Sequence, residues 1–290
     1  MMTARRSARS LRSTLFTLAA GLFAVAPALS AALAPPAAYP IDPVPLRQLW
    51  ALSDLVVVAE VVEERAATED EPGARRARLA VQQVLRGRAE AEVVVEIYGF
   101  ICPAPASYTE GRRVLAFLAR PELPGDAPEG TPTPEGYWTV GLSYGSKTLG
   151  EDVLAAHVRA LRELARLEAI TDADVRHAGL SRWLVDLVAD PLTRTEGLLD
   201  LNTNRHKRGR EPRDPVRIQR FPDAQVDRLV QLFEGLAPDD RDLMDLARIL
   251  KAAPHDSAHF ALRDRLELLR ADPEVSDKLV TRFENLCEEG

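Results

Sequence analysis

The chain has 290 residues, of which 46% are hydrophobic and 28% charged, and its formal net charge is −7. The apolar content is enough for real cores and excludes a disordered chain, and the length suits two ordinary domains behind a leader. An acidic balance repels phosphate backbones, so nucleic acid is not expected as a partner.

The first residues carry Arg5, Arg6, Arg9 and Arg12, with no acidic residue before Asp42. An apolar run from Leu15 to Ala26 follows, then the small residues Ala28, Ser30 and Ala31. That order predicts a secretory signal peptide over residues 1–30, cleaved near Ser30. The run is too short to span a bilayer comfortably, so no stable membrane anchor is expected. The expected location is periplasmic or extracellular. Removing the four arginines takes the formal charge from −7 to −11. Residues 31–45 are rich in Ala and Pro and read as a spacer.

From Leu46 the pattern reads as β. In Ser53–Glu64 (SDLVVVAEVVEE), Leu55, Val57, Ala59 and Val61 fall on one face. Val56 and Val58 make the other face apolar too, as in a curled strand covered on both sides. Further β-rich runs follow at Arg78–Gly87, Ala91–Gly99, Arg112–Arg120 and Gly136–Ser143, separated by Gly, Pro and acidic turns. Five such runs predict a five-stranded antiparallel barrel over residues 46–149.

After Gly150 the hydrophobic period changes from two to 3.6. Leu154, Val158, Leu161 and Ala165 form one helical stripe, and Leu180, Trp183, Leu184, Leu187 and Val188 form another. More amphipathic stretches cover Val226–Leu236, Leu243–Leu250, Phe260–Leu269 and Val275–Leu286. Asp190-Pro191, Pro222-Asp223 and Asp272-Pro273 read as helix-start signals. Residues 150–290 are therefore expected to be all-α, and the fold class α+β with two domains. Pro191, Pro238 and Pro273 sit in similar helix–turn–helix surroundings, at a spacing near that of paired-helix repeats of the HEAT type. A compact bundle fits the same pattern.

Few residues suggest chemistry. Gly141-Leu142-Ser143-Tyr144-Gly145 matches G-x-S-x-G, the nucleophile elbow of serine hydrolases. An elbow needs a helix directly behind the serine and a parallel sheet wound with helices; neither is expected here, so Ser143 reads as an ordinary serine beside flexible glycines. His255 and His259 stand four apart, but Asp256-Ser257 reads as a helix start that leaves His255 outside the helix. No third ligand accompanies them, so they read as surface or capping residues. Phosphate loops and dinucleotide fingerprints are missing from the sequence, and no metal or cofactor is expected.

Cys102 and Cys287 are the two cysteines. If paired, they tie the barrel to the last helix, with a stabilisation of about 5 kcal/mol for so long a loop. Two separate thiols are the alternative. The stretch Asn204–Arg220 concentrates Arg205, Lys207, Arg208, Arg210 and Arg213. It reads either as an anion-binding loop or as a solvated connection between helices, and it lacks the aromatic interleaving of nucleic-acid readers.

The succession SDLVVVAEV, VQQVLRG, VVVEIYGFICP, EGRRVLAFL, YWTVGLSYG resembles the OB-fold domain of tissue inhibitors of metalloproteinases, and bacterial exported domains that share that barrel. The resemblance covers Leu46 to Leu149 and implies the fold. In that family an N-terminal cysteine chelates the protease zinc; no cysteine here precedes Cys102, so that mechanism is not carried over.

The expectation is thus an exported, non-catalytic protein that binds another protein or an envelope component. A metalloproteinase inhibitor acting through barrel loops is the alternative, and a hydrolase using Ser143 a distant third.

Overall fold

The computed structural model describes residues 43–66, 74–98, 105–121, 136–202 and 216–288. The segment expected to be a signal peptide, Cys102 and the Arg205–Arg213 cluster lie outside the described residues.

Helix α1 (Leu46–Leu52) precedes strands β1 (Leu55–Arg65), β2 (Ala74–Arg86), β3 (Glu92–Tyr98), β4 (Arg113–Ala119), β5 (Tyr137–Thr139) and β6 (Ser146–Lys147). The stretch Leu46–Leu52 is therefore a helix and not the start of the β pattern. Leu46, Leu49 and Trp50 are its buried residues, at helical spacing, and Pro45 stands at its N-cap. The Ser53 hydroxyl donates to the Leu49 carbonyl at 2.7 Å and helps end it.

Five strands close a barrel in the order β1-β2-β3-β5-β4, with β4 returning to β1. The barrel is mixed, not antiparallel throughout, because β3 and β5 pair in parallel at Val95–Tyr137 and Glu96–Trp138. The strand expected over Gly136–Ser143 is broken. β5 ends at Thr139, a 3-10 turn spans Leu142–Gly145, and β6 rejoins β4 at Leu115 and Ala116. Gly141 and Leu142 both take positive φ, which turns the chain out of the ladder.

Two cores share β1 and β4. Inside the barrel, Leu55, Val57, Ala59 and Val61 of β1 meet Val93, Val95 and Ile97 of β3 and Val114, Ala116 and Leu118 of β4. The alternate residues Val56, Val58, Leu115 and Phe117 face outward and join Leu46, Leu49, Trp50 and the helices in the second core. Both faces of these two strands are covered, as the apolar run in β1 predicts.

The helices are α2 (Glu151–Glu168), α3 (Ala173–Ala189), α4 (Arg194–Leu201), α5 (Asp223–Glu234), α6 (Leu243–Lys251), α7 (Asp256–Ala271) and α8 (Asp277–Glu288). Six of them pack as three pairs, α3 with α4, α5 with α6, and α7 with α8, and α2 packs on α3. First helices touch in series, α3 to α5 to α7, and second helices do the same, α4 to α6 to α8. Each turn inside a pair uses an aspartate whose carboxylate accepts from the backbone N–H two residues on: Asp190 to Leu192, Asp240 to Asp242, and Asp272 to Glu274. The Asp-Pro pairs thus build turns, and the helices start a few residues later. None of the described helices is long and apolar enough to cross a membrane.

Candidate functional site

Because α1 and the helices cover β1, β4 and the Leu85–Arg86 end of β2, the outer surface of β3, β5 and the Arg76–Arg78 part of β2 is left as the open face of the barrel. Val94 and Trp138 are each 40% exposed there. Around them the charged side chains are cross-strand neighbours. Arg76 Nη2 lies 3.5 Å from Glu96 Oε1, and Arg78 Nε lies 3.6 Å from Glu92 Oε2. Paired charges across strands add little stability but keep the face solvated.

A groove of about 730 Å³ opens on this face, lined by Arg76, Arg88, Glu92, Val94, Arg120 and Tyr137, with Glu90 also on its wall. Its floor follows from the short β5. Gly136 enters that strand at φ +114°, so close to β3 that a Cβ would stand 3.0 Å from the Val94 carbonyl oxygen. Arg120 is held at its backbone from both sides. Its N–H donates to Asp54 Oδ2 at 2.8 Å, and its carbonyl accepts from Trp138 Nε1 at 3.2 Å. The guanidinium then lies 5.9 Å from the Tyr137 ring centroid, a cation–π distance. Arg88 has no carboxylate within ion-pair reach among the described residues. Such a groove offers cations, an aromatic ring and an aliphatic wall. Among the described residues its lining holds no serine, cysteine or histidine.

A second polar centre is buried where the barrel meets the helices. Glu196 of α4 accepts from Lys147 Nζ of β6 at 2.7 Å. His157 of α2 donates from Nδ1 to the Val153 carbonyl at 2.8 Å, and its Nε2 stands 3.7 Å from the same Glu196 oxygen. Burial alone would raise the Glu196 carboxyl; the His157 ring and the Lys147 ammonium outweigh it and hold the group below its ordinary value. One helical turn on, Asp200 takes Arg47 of α1 in a two-bond fork, at 2.9 and 3.1 Å. Both pairs are buried and join parts of the fold, Lys147 of β6 and Arg47 of α1 each to α4.

Known protein families, curated proteins and solved structures contain no match to this chain.

Ser143 sits in the 3-10 turn, half-buried, with no histidine or carboxylate hydrogen-bonded to it among the described residues. The glycines around it answer to packing. A Cβ on Gly145 would lie 1.8 Å from the Val140 carbonyl oxygen, and one on Gly141 would lie 2.8 Å from Leu49 Cδ2. The match to G-x-S-x-G thus comes from a tight turn laid over α1.

His255 is the N-cap of α7, as the Asp256-Ser257 pattern suggests. Its Nδ1 is 2.7 Å from Ser257 Oγ, which donates to Asp227 Oδ1 at 2.9 Å. The serine proton is committed to Asp227, so His255 Nδ1 donates to the serine oxygen in a chain that links α7 to α5. His259 is exposed, and no group of three metal-binding side chains occurs among the described residues. Cys287 is an exposed free thiol, raised above its ordinary value chiefly by partial burial; its expected partner lies outside the described residues.

Sequence reading missed the groove and the buried pairs. For Glu196 and Asp200 a signal existed. They stand four apart in Arg194–Leu201, so they share a helix face, and they flank the buried Gly197 and Leu198.

Proposed function

We propose that this protein is an exported, non-catalytic binding module whose barrel docks another protein through the open β2–β3–β5 face. One observation carries the reading. The helices cover the outer surfaces of β1 and β4, whereas the opposite surface keeps Val94 and Trp138 exposed beside a groove of about 730 Å³. Aromatic and arginine side chains around a partly apolar centre are the composition of interface hot spots.

The strand order and the placement of the groove support an OB-like barrel, since in that fold strands 2 and 3 and the loop between strands 4 and 5 make the ligand face. The same barrel is the basis of the resemblance to metalloproteinase-inhibitor domains. Stacked helix pairs support a HEAT-like reading of the second half. Export rests on the cationic and apolar opening of the sequence.

Affinity capture from an envelope fraction tests the proposal. A partner retained by the wild-type chain and lost with Val94→Glu or Trp138→Ala, both folded, is the expected result. A partner retained equally by all three chains, or a substrate turned over by the purified protein, rejects it.

A further inference from the structure

We propose that the groove is a small-molecule site for an aliphatic dicarboxylate, held with one carboxylate on Arg88 and the other on Arg120. Such a ligand requires no docked partner and goes beyond the docking reading.

Asp54 brings the two cations together. Its Oδ2 accepts from the Arg120 N–H at 2.8 Å, just past the end of β4. Its carbonyl oxygen lies against Gly87, where a Cβ would stand 2.3 Å away, and Gly87 takes φ +80°. Only glycine fits there, so the turn that carries Arg88 is pressed against the same residue. Both arginines line one groove of about 730 Å³, a volume usual for small-ligand sites. Arg120 is held further by its Trp138 contact and by its place over the Tyr137 ring.

Charge decides which class of ligand fits. Arg76 is paired with Glu96, and Glu92 with Arg78. Arg88 and Arg120 have no carboxylate within ion-pair reach among the described residues, and Glu90 is the acid left over on the wall. A guanidinium takes a carboxylate through two parallel hydrogen bonds, so two arginines on separate segments suit two carboxylates. Tyr137 packs on the barrel core and carries Arg120, which leaves aliphatic side chains, Ala89 and Val94 among them, as the apolar wall. That wall suits an aliphatic body between the carboxylates. Inorganic phosphate or sulfate would leave it unused, and a polyanion would meet Glu90 and a chain of net negative charge.

The test titrates the full chain by calorimetry with the unbranched dicarboxylates from succinate to sebacate. One length is expected to bind best, at least tenfold tighter than the monocarboxylate of equal length. Arg88→Gln and Arg120→Gln are each expected to weaken it at least tenfold, and Glu90→Gln to tighten it. Arg282→Gln on α8 removes the same charge elsewhere and is expected to leave binding unchanged. Arginine side-chain NMR of the unaltered chain gives a reading that needs no variant: the Nε–H signals of Arg88 and Arg120 are expected to shift with ligand. No binding at millimolar ligand, equal binding of the monocarboxylate or of sulfate, an equal loss with Arg282→Gln, or shifts confined to other arginines overturns the proposal. So does binding of an acidic hexapeptide with none of any dicarboxylate, which would assign the two arginines to a protein partner.

Discussion

Lys147 Nζ stands 2.7 Å from Glu196 Oε1, so the last strand residue of the barrel is tied to α4 across 49 positions of chain. Their side chains are only 15% and 14% exposed. Lys147→Met leaves a buried carboxylate with its main partner gone and is expected to cost about 3 kcal/mol in denaturant unfolding. Adding Glu196→Met should return part of that loss, because two apolar groups of similar size leave no unpaired charge. A single mutant within a few tenths of wild type would show that the pair does not hold the joint.

Glu196 also sets an acid limb. Its folded carboxyl lies below its ordinary value, so its contribution is complete above the unfolded value of about 4.3 and is lost as pH falls through the folded one. Glu196→Gln should flatten the fall of stability with acidification below about pH 4. Unfolding midpoints measured across the acid range check this; parallel curves for the two chains would remove Glu196 from the account.

Tyr108 gives the opposite limb. It is buried in the barrel, its hydroxyl lies 2.7 Å from Thr139 Oγ1, and burial pushes its phenol up to about 12. The folded state therefore holds the proton longer than the unfolded chain, whose phenol ionises near pH 10. Stability from this group is intact below that value and is lost as pH rises toward 12. Tyr108→Phe should cost about 1 kcal/mol at neutral pH and weaken the alkaline fall. Ultraviolet titration that finds every tyrosine ionising together near pH 10 would contradict the buried setting.

The turn around Ser143 separates packing from catalysis. Gly145→Ala places a methyl against the Val140 carbonyl oxygen and is expected to cost more than about 2 kcal/mol. Gly141→Ala should cost about 1–2 kcal/mol, from positive φ and contact with Leu49. Ser143→Ala should be nearly silent in stability, and a fluorophosphonate probe should leave Ser143 unlabelled. Labelling of Ser143 at the rate of a control hydrolase would reverse that reading.

What could be read in the sequence follows the reach of each interaction. Alternation along Leu55–Val61 announces β1, and the apolar Val56 and Val58 on its other face announce a second covered surface, which the helices supply. Helical stripes after Gly150 are equally local, and so are the aspartates of the inter-helix turns. The direction of β5 against β3 is not local, because alternation has no sense of parallel or antiparallel. Leu46–Leu52 reads as β in the sequence and is a helix, since seven residues hold too few periods to separate the two. The groove combines Arg88 from one turn, Val94 from a strand and Arg120 from the end of another, a juxtaposition that only the closed barrel creates.

The docking face is tested most directly by photo-crosslinking in the envelope fraction, with a photoreactive side chain placed either at Val94 or at Val175, which is exposed on α3. The account predicts one discrete crosslinked partner from position 94 and none from position 175. Crosslinking confined to position 175, or equal at both, would contradict it.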